Sequence, residues 1–209
     1  IRGIGDDAAV LEKNEDTFTL ISSDMLIEGI HFDLTYFPLK HLGYKAVAVN
    51  VSDIAAMNGL PKQMTISLGV SNRFPVEAID ELYEGIRLAC ENYHIDLVGG
   101  DTTATRSGLT LAVTMIGEVK KEAISYRSGA QPNDIVCVSG DLGAAYMGLQ
   151  ILEREKQVFK ANPEMQPDLE THGYLIGKQT SHAGTNDIGI IQITFWIGNN
   201  HRINFCRIG

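Results

Sequence analysis

The sequence predicts a mixed α/β protein, because alternating apolar runs typical of strands are separated by two long helical segments. Alternate residues are apolar at Phe18 and Leu20 of segment 17–24 and throughout segments 64–70 and 109–115, which predicts strands with one buried face. Segment 38–59 has the length and stop signal of a helix, and segment 75–93 has the periodicity of an amphipathic one. The 209 residues suffice for one large domain or for one domain and part of another.

Composition and charge narrow the class of protein. The 44% hydrophobic and 21% charged residues are ordinary for a folded soluble protein. A net charge of -9 argues against nucleic acid or an anionic membrane as partner, and an anionic substrate would need a metal ion. No apolar run approaches the roughly 18–20 residues of a membrane span. Three isolated cysteines fit a reducing cytoplasm, and without a leader or a starting Met we expect N-terminal residues to be missing.

The first two predicted strands carry oxygen-rich ends. A strand over 8–11 follows Asp6 and Asp7, whose adjacent carboxylates repel one another unless a cation or donor lies nearby. A solvated acidic turn is the alternative. The second strand ends in three oxygen donors, Ser22, Ser23 and Asp24. Oxygen ligands are those that Mg²⁺ and Ca²⁺ prefer. His31, just beyond, is by itself more typical of a turn histidine.

Segment 38–59 is predicted to be a helix that contains a buried carboxylate. Pro38 suits its first turn, and Asn58-Gly59-Leu60-Pro61 is a strong stop signal. Alternating valines also permit a strand, but the length favours a helix. Asp53 lies in the apolar middle, where an unpaired carboxylate is costly. Because Lys45 is the only basic residue nearby, a metal ion is a serious candidate for the partner of Asp53.

The sequence Gly99-Gly100-Asp101-Thr102-Thr103 is predicted to form a turn after a buried strand at 95–98. Glycines let the backbone approach a ligand closely, and a carboxylate followed by two hydroxyls can hold a cation or a phosphate. An ordinary strand-to-loop turn with a side-chain cap is the alternative. Cys90, on the amphipathic helix before it, is predicted to be a core thiol.

A connector at 124–134 separates these elements from a second pattern. Arg127 on the connector could clamp a phosphate or be a solvated surface charge. A buried strand at 135–139 and a helix at 144–155 follow, with a weak candidate for an anion-binding glycine turn between them. The elements expected beyond are an exposed loop at 157–170 and a strand within 188–197.

Four acidic segments share one character, since each puts carboxylates at a strand end or in an apolar element. The carboxylates are Asp6, Asp7, Asp24, Asp53 and Asp101. Clustered without cations, they would repel one another strongly. Clustered around two or more Mg²⁺ ions, they could bind a polyphosphate and neutralise charge on a transferred phosphoryl group.

Five motifs follow one another along the chain. They are Gly5-Asp6-Asp7-Ala8-Ala9-Val10, Ser22-Ser23-Asp24-Met25-Leu26 continuing to Glu28-Gly29 and His31-Phe32, Asn50-Val51-Ser52-Asp53-Ile54-Ala55-Ala56-Met57, Gly99-Gly100-Asp101-Thr102-Thr103, and Arg127-Ser128-Gly129-Ala130 continuing to Pro132. Over roughly residues 1–178, their order and spacing resemble bacterial thiamine-monophosphate kinases. That family belongs to the aminoimidazole-ribonucleotide-synthetase-like superfamily of ATP-dependent enzymes.

The resemblance implies direct, in-line transfer of the ATP γ-phosphoryl group to thiamine monophosphate, giving thiamine diphosphate without a covalent intermediate or an assigned acid or base. It implies Mg²⁺ ions, two or more, at Asp7, Ser22, Ser23, Asp24, Asp53 and Asp101. The positions implied to contact ATP are Gly100, Asp101 and Arg127. His31 matches a position near thiamine monophosphate.

The resemblance also implies the fold and the assembly. An N-terminal domain over 1–124 would pair its mixed sheet with that of a second copy, forming a barrel in a cytoplasmic homodimer. A second α/β domain would begin at 134 and run to 209, with an atypical tail from about 180. The family's Ile-Asp-x-Ser-Asp-Gly motif is absent here. We therefore expect a frameshifted or prematurely ended reading frame and an incomplete second domain.

Three alternatives stay open at this point. The chain could be another ATP-dependent enzyme of the superfamily, although a selenophosphate synthetase normally has a reactive Cys near its N-terminus and the first one here is Cys90. It could be a catalytically impaired dimeric fragment that binds Mg-nucleotide, which the missing motif favours. It could also be a plain α/β domain with solvated acidic turns, which predicts no stabilisation by Mg²⁺.

Overall fold

A five-stranded mixed sheet forms the centre of the N-terminal region. The computed structural model describes residues 1–138, 144–162, 193–197 and 202–206. The strands of the sheet are β1 (Ala9–Glu12), β2 (Thr17–Ile27), β3 (Leu60–Val70), β4 (Asp96–Ala104) and β5 (Leu109–Lys120). The two helices beside it are α1 (Leu39–Ala56) and α2 (Val76–Tyr93). The mixed α/β fold class that the sequence predicts is confirmed.

The strand order β1-β2-β5-β3-β4 puts β1 and β4 at opposite edges of the sheet. Neighbouring strands are antiparallel, except for the parallel pair β3 and β4. Helix α2 connects that pair, because parallel neighbours need a crossover rather than a hairpin. The β2 and β5 strands pair over the whole length of β2, from Thr17 opposite Lys120 to Ile27 opposite Thr110.

The core lies between the sheet and α1, which crosses β2, β5 and β3. Alternate residues of β5 are fully buried, namely Leu109, Leu111, Val113 and Met115. Helix α2 packs on α1 at very close range. A Cβ atom added at Gly85 would lie 1.8 Å from the Lys40 carbonyl oxygen, and one at Gly43 would lie 2.0 Å from the Leu82 carbonyl oxygen. Glycine at both positions therefore permits the helix crossing.

The second face of the sheet is much less buried. Along β2, Leu20 and Ser22 face α1 and are buried, whereas Ser23 and Met25 face the other way and are exposed. The outward residues of β3 and β5 are half-buried or exposed in the same way. One side of the sheet thus builds the core, and the other remains open in the single chain.

A second set of elements follows the first sheet. It begins with the short 3-10 turn Arg127–Gly129 and continues with β6 (Ile135–Val138), α3 (Ala144–Ala161), β7 (Ile193–Ile197) and β8 (Arg202–Cys206). The three strands form an antiparallel sheet in the order β6-β7-β8. The domain boundaries 1–124 and 134–209 stay a prediction. In the described part of the chain, no helix is both long and apolar enough to cross a membrane.

Two predictions about the strands of the first sheet are wrong. Gly99–Thr103 is not a turn but lies within β4, and every residue of β4 is exposed rather than buried. Its backbone pairs with β3, so the ladder outweighs the local turn preference of the two glycines. Asp24 lies inside β2 and not at its end, because β2 continues to Ile27 opposite β5.

Later predictions also need correction. Helix α3 continues to Ala161, so 157–161 is helical rather than a loop. Ile135, which begins the strand predicted to be buried, is 62% exposed. The prediction missed β8 entirely. The expected glycine turn at 140–143 and the rest of the expected loop, 163–170, lie outside the described residues.

Candidate functional site at two edges of the sheet

The adjacent carboxylates before β1 are held by the arginine of the connector. The Arg127 guanidinium lies 2.7 Å from Asp7 Oδ1, and the backbone N–H of Arg127 lies 3.2 and 3.3 Å from the two Asp6 carboxylate oxygens. The Asp6 side chain is 1% exposed and the Asp7 side chain 8%. Arg2 adds a second cation, 3.7 Å from Asp6. Nearby donors thus offset the mutual repulsion of the two acids.

Asp53 has a hydrogen-bond partner on β2. Ser22 Oγ donates to Asp53 Oδ2 at 2.8 Å, and both residues are buried. Lys45, the nearest basic residue in the sequence, donates to the backbone carbonyl of His31 at 3.0 Å. A buried carboxylate is costly without such a partner, so the hydroxyl of Ser22 is part of what allows Asp53 to lie in the core.

These acidic groups belong to one region of the molecule. The backbone N–H of Ala8 lies 3.2 Å from the sulfur of Met57, one turn beyond Asp53. Asp24 follows Ser22 by two residues on β2, so both lie on the face of the sheet that meets α1. Asp6, Asp7, Ser22, Asp24 and Asp53 thus lie on neighbouring elements, namely the segment before β1, the strand β2 and the helix α1, which we call the β1–β2 edge.

Ser23 lies apart from that group. Its hydroxyl donates to the Val113 carbonyl at 3.2 Å and lies 3.1 Å from the hydroxyl of Thr114. These contacts lie on the open face of the sheet, opposite the face of Ser22. The three predicted ligands on β2 therefore divide between two faces.

The donor set at the β1–β2 edge fits Mg²⁺ in its chemistry, because it consists of carboxylate and hydroxyl oxygens. Its carboxylates have protein partners, Arg127 for Asp7 and Ser22 for Asp53. Within the described residues, no three His, Cys, Asp or Glu side chains are placed to hold a metal ion. A metal ion here would share these carboxylates with their protein partners or replace those partners.

Gly100 and Asp101 lie at the opposite edge, on β4. Gly100 is opposite Ile66 of β3, and a Cβ atom at Gly100 would lie 1.8 Å from the Ile66 carbonyl oxygen. Both residues line a surface groove of about 510 Å³ together with Tyr83. Because β5 and β3 separate β4 from β2, the usual strand spacing puts β4 roughly 14 Å from β2. One chain does not bring Asp101 to the other predicted ligands.

His31 lies in the turn that follows β2. Its Nδ1 accepts a hydrogen bond from the Ile27 backbone N–H at 3.0 Å, and its carbonyl accepts from Lys45. Gly29, at φ +79°, makes the turn possible, since a side chain there would be strained. The turn is thus held by contacts of its own backbone with the ring and with α1.

Two residues outside the ligand set that the resemblance implies also support this region. Glu28 forms an ion pair with Arg73 and accepts the Leu109 backbone N–H at 2.9 Å, which ties the His31 turn to the start of β5. Asp6 is the more buried member of the acidic pair. The adjacency of two carboxylates was the available signal for Asp6, whereas nothing local to the sequence pairs Glu28 with Arg73.

The fold and the positions of these groups agree with a known family. The N-terminal domain of AIR synthase related proteins matches residues 5–119, which is more than half of the chain. The chain belongs to this family.

Curated relatives of the chain include thiamine-monophosphate kinases. The chain is 44% identical over 153 residues to that of Bacillus subtilis (strain 168), covering 73% of this chain and 47% of the relative. It is 38% identical over 157 residues to that of Aquifex aeolicus (strain VF5), covering 75% of this chain and 50% of the relative. The chain spans about half the length of these relatives.

The chain is also similar to solved structures of thiamine-monophosphate kinases. "AaThiL complexed with AMPPCP and TMP" superposes with a TM-score of 0.72 at 31% identity, covering 94% of this chain and 61% of that one. The thiamine-monophosphate kinase from Stenotrophomonas maltophilia K279a gives a TM-score of 0.66 at 31% identity, covering 85% of this chain and 54% of that one. The hydrogenase maturation protein HypE, at 22% identity and a TM-score of 0.58, shares the fold.

Proposed function

We propose that this chain carries the metal- and nucleotide-binding half of a cytoplasmic thiamine-monophosphate kinase. The main support for the proposal is the buried hydrogen bond of 2.8 Å from Ser22 to Asp53, which joins two of the proposed metal ligands. The identity of 44% to a thiamine-monophosphate kinase supports the choice of reaction. The reaction would form a bond between a phosphate oxygen of thiamine monophosphate and the γ-phosphorus of ATP, and it would break the bond from that phosphorus to ADP.

The proposed metal ligands are those that the resemblance implies. They are Asp7, Ser22, Ser23, Asp24, Asp53 and Asp101. When bound, Mg²⁺ would neutralise phosphate charge and stabilise the charge that develops on the transferred group. The protein's own contribution is to keep carboxylates in a partly buried region, where interactions with a cation are stronger than in water.

Arg127 is proposed to contact ATP and also to pair with Asp7 before any ligand binds. Its guanidinium is 57% exposed while it pairs with the buried carboxylate of Asp7. An arginine in this position can neutralise Asp7 in the absence of ligand. It can then turn to a phosphate when a metal ion takes over the carboxylate, because guanidinium groups bind both anions in the same bidentate way.

A second copy of the chain is proposed to complete the site. Asp101 lies roughly 14 Å from the β2 ligands within one chain, by the strand spacing. The strand that carries it is an exposed edge, and one face of the sheet is open. A homodimer that closes these surfaces into a barrel would place Asp101 and Gly100 of one copy beside Asp7, Asp24 and Asp53 of the other.

His31 is proposed to bind thiamine monophosphate. Because its Nδ1 accepts the Ile27 N–H, the neutral ring carries its proton on Nε2. The exposed Nε2–H can donate a hydrogen bond to a phosphate oxygen. The residue would thereby orient the acceptor phosphate for in-line attack without taking part in proton transfer.

Phosphoryl transfer by the whole chain tests the proposal. With ATP, Mg²⁺ and thiamine monophosphate, we expect ADP and thiamine diphosphate in equal amounts, and EDTA should abolish both. Asp53→Asn should lower kcat by more than about 100-fold, since it weakens the binding of a catalytic metal ion. Asp80→Asn, an exposed acid of α2, serves as the matched control and should not change kcat. If Asp53→Asn forms thiamine diphosphate at the same rate as the unmodified chain, the proposal is wrong.

A further inference from the structure

The segment between His31 and α1 makes two contacts with α3. Asp33 forms an ion pair with Lys156, and the Tyr36 hydroxyl donates a hydrogen bond to Glu153. Tyr36 lies three positions after Asp33, and Lys156 lies three positions after Glu153. Because positions three apart lie on one face of a helix, both contacts form on the same side of α3. We call these four residues the latch.

Hydrogen bonds and protonation states fix the arrangement of the latch residues. Thr35 donates to Asp33 Oδ1 through its backbone N–H at 2.9 Å and its hydroxyl at 2.6 Å, while Lys156 bonds the other oxygen. The hydrogen bonds from Lys156 and Thr35 lower the pKa of Asp33 to about 2, so Asp33 is ionised at neutral pH. Burial and the bond to Glu153 raise the pKa of Tyr36, so its hydroxyl stays protonated and donates.

The latch acts on the same short segment that carries His31. On its other side, Lys45 of α1 holds the His31 carbonyl at 3.0 Å. The backbone N–H of Phe37 donates to the Asp33 carbonyl at 3.0 Å, which closes a turn between the two latch positions. The segment 31–37 is therefore fixed from α1 on one side and from α3 on the other.

We propose that the latch makes Lys156 and Glu153 of α3 positioning residues for the His31 turn, so that the second region of the chain sets the site for the acceptor phosphate. The identity of that acceptor rests on the proposed function, whereas the mechanical coupling does not. The side chains of Asp33 and Lys156 are 23% and 22% exposed, so the ion pair is shielded from solvent on most sides. Glu153 and Lys156 contact Tyr36 and Asp33, so their effect on His31 passes through the turn.

Hydrogen exchange in the whole chain tests the coupling without any substrate. Lys156→Met keeps the length of the side chain and removes its charge. We expect peptides covering residues 29–37 to exchange about fivefold faster, the factor for losing an ion pair at the upper end of the surface range. Lys160→Met is the matched control, because Lys160 is exposed and lies one turn further along α3, and it should leave that exchange unchanged. Tyr36→Phe, which removes only the hydroxyl, should give a smaller increase.

A second measurement separates the latch from the proposed function. Lys156→Met should raise KM for thiamine monophosphate several-fold while KM for ATP stays constant, and Lys156→Arg should restore it. Unchanged exchange in Lys156→Met would overturn the latch, whatever the activity. Faster exchange in a chain that does not phosphorylate thiamine monophosphate would uphold the latch and overturn the proposed function instead. Faster exchange with equal changes in both KM values would overturn the assignment of the latch to the acceptor site.

Discussion

The two edges of the five-stranded sheet carry the two halves of the proposed site, and they differ in how far their residues are buried. At the β1–β2 edge, the carboxylates are buried and have partners in their own chain, as Asp53 has in Ser22 and Asp7 has in Arg127. At the β4 edge, every residue is exposed, including the segment that carries Asp101. Contacts within one chain therefore complete the first half, whereas the second half presents a surface that a single chain leaves uncovered.

The exposed edge is unusual for a protein that stays monomeric. An edge strand offers unpaired backbone groups, and proteins usually protect such strands with charges, bulges or proline. Here β4 instead presents Leu97 at 40% and Val98 at 54% exposure, next to two glycines. The proposed homodimer would turn this exposed strand into an interface, and three variants test how it differs from the β1–β2 side of the sheet.

The largest effect on stability is expected at Gly100. Gly100→Ala would put a methyl group 1.8 Å from the Ile66 carbonyl oxygen, so β4 must move away from β3. We expect the free energy of unfolding to fall by about 2–3 kcal/mol, as for other overpacked sites. Gly99→Ala is the matched control, because a Cβ there meets nothing within 4 Å. Equal urea midpoints for the two variants would show that the β4 edge is less constrained than its packing indicates.

A smaller effect is expected for the assembly. Val98→Lys puts a charge on the exposed edge strand, where lysine disfavours strand pairing and contact with a second sheet. We expect the dissociation constant of the dimer to rise by about tenfold or more, measured by light scattering over a dilution series. Val76→Lys, at a more exposed position on α2, should leave the dimer intact. If the unmodified chain is a monomer at all concentrations, the proposed homodimer is wrong.

The smallest expected effect is the pH dependence of the stability that Asp33, which follows β2, contributes to the fold. Hydrogen bonds from Lys156 and Thr35 hold the pKa of Asp33 at about 2, below the roughly 3.9 of an unfolded aspartate. A lowered native pKa stabilises the fold above the unfolded value, and this stability is lost as pH falls toward 2. Relative to Asp33→Asn, the native chain should gain up to about 1 kcal/mol at pH 6 and much less at pH 2.5. A difference that does not change with pH would exclude this ion pair as its source.

Local patterns predicted the elements of the first region well. The alternation in β3 and β5 and the length and stop signal of α1 depend on residues close in sequence, and the structure has these elements within a few residues. The resemblance of five motifs predicted the family, which is confirmed by the match to residues 5–119. The predicted roles of individual site residues stay predictions.

Features that depend on residues far apart in the sequence could not be predicted from local patterns. Gly99 and Gly100 have a local preference for turns, but pairing with β3 makes them part of a strand. The partner of Asp53 is a hydroxyl 31 residues away, which no spacing rule identifies. The strand order, and with it the separation of Asp101 from Asp24, follows from long-range pairing alone.

Complementation between two inactive variants tests the central claim, that one site is built from opposite edges of two copies. Asp53→Asn and Asp101→Asn are each expected to be nearly inactive as pure dimers. If each site takes Asp53 from one copy and Asp101 from the other, a mixed dimer has one intact site and one doubly altered site. After random exchange of equal amounts, about half of the dimers are mixed, so about a quarter of the native activity should return. Mixed dimers that form, as shown by mass spectrometry, yet remain inactive would contradict the claim and place both carboxylates in a site within one chain.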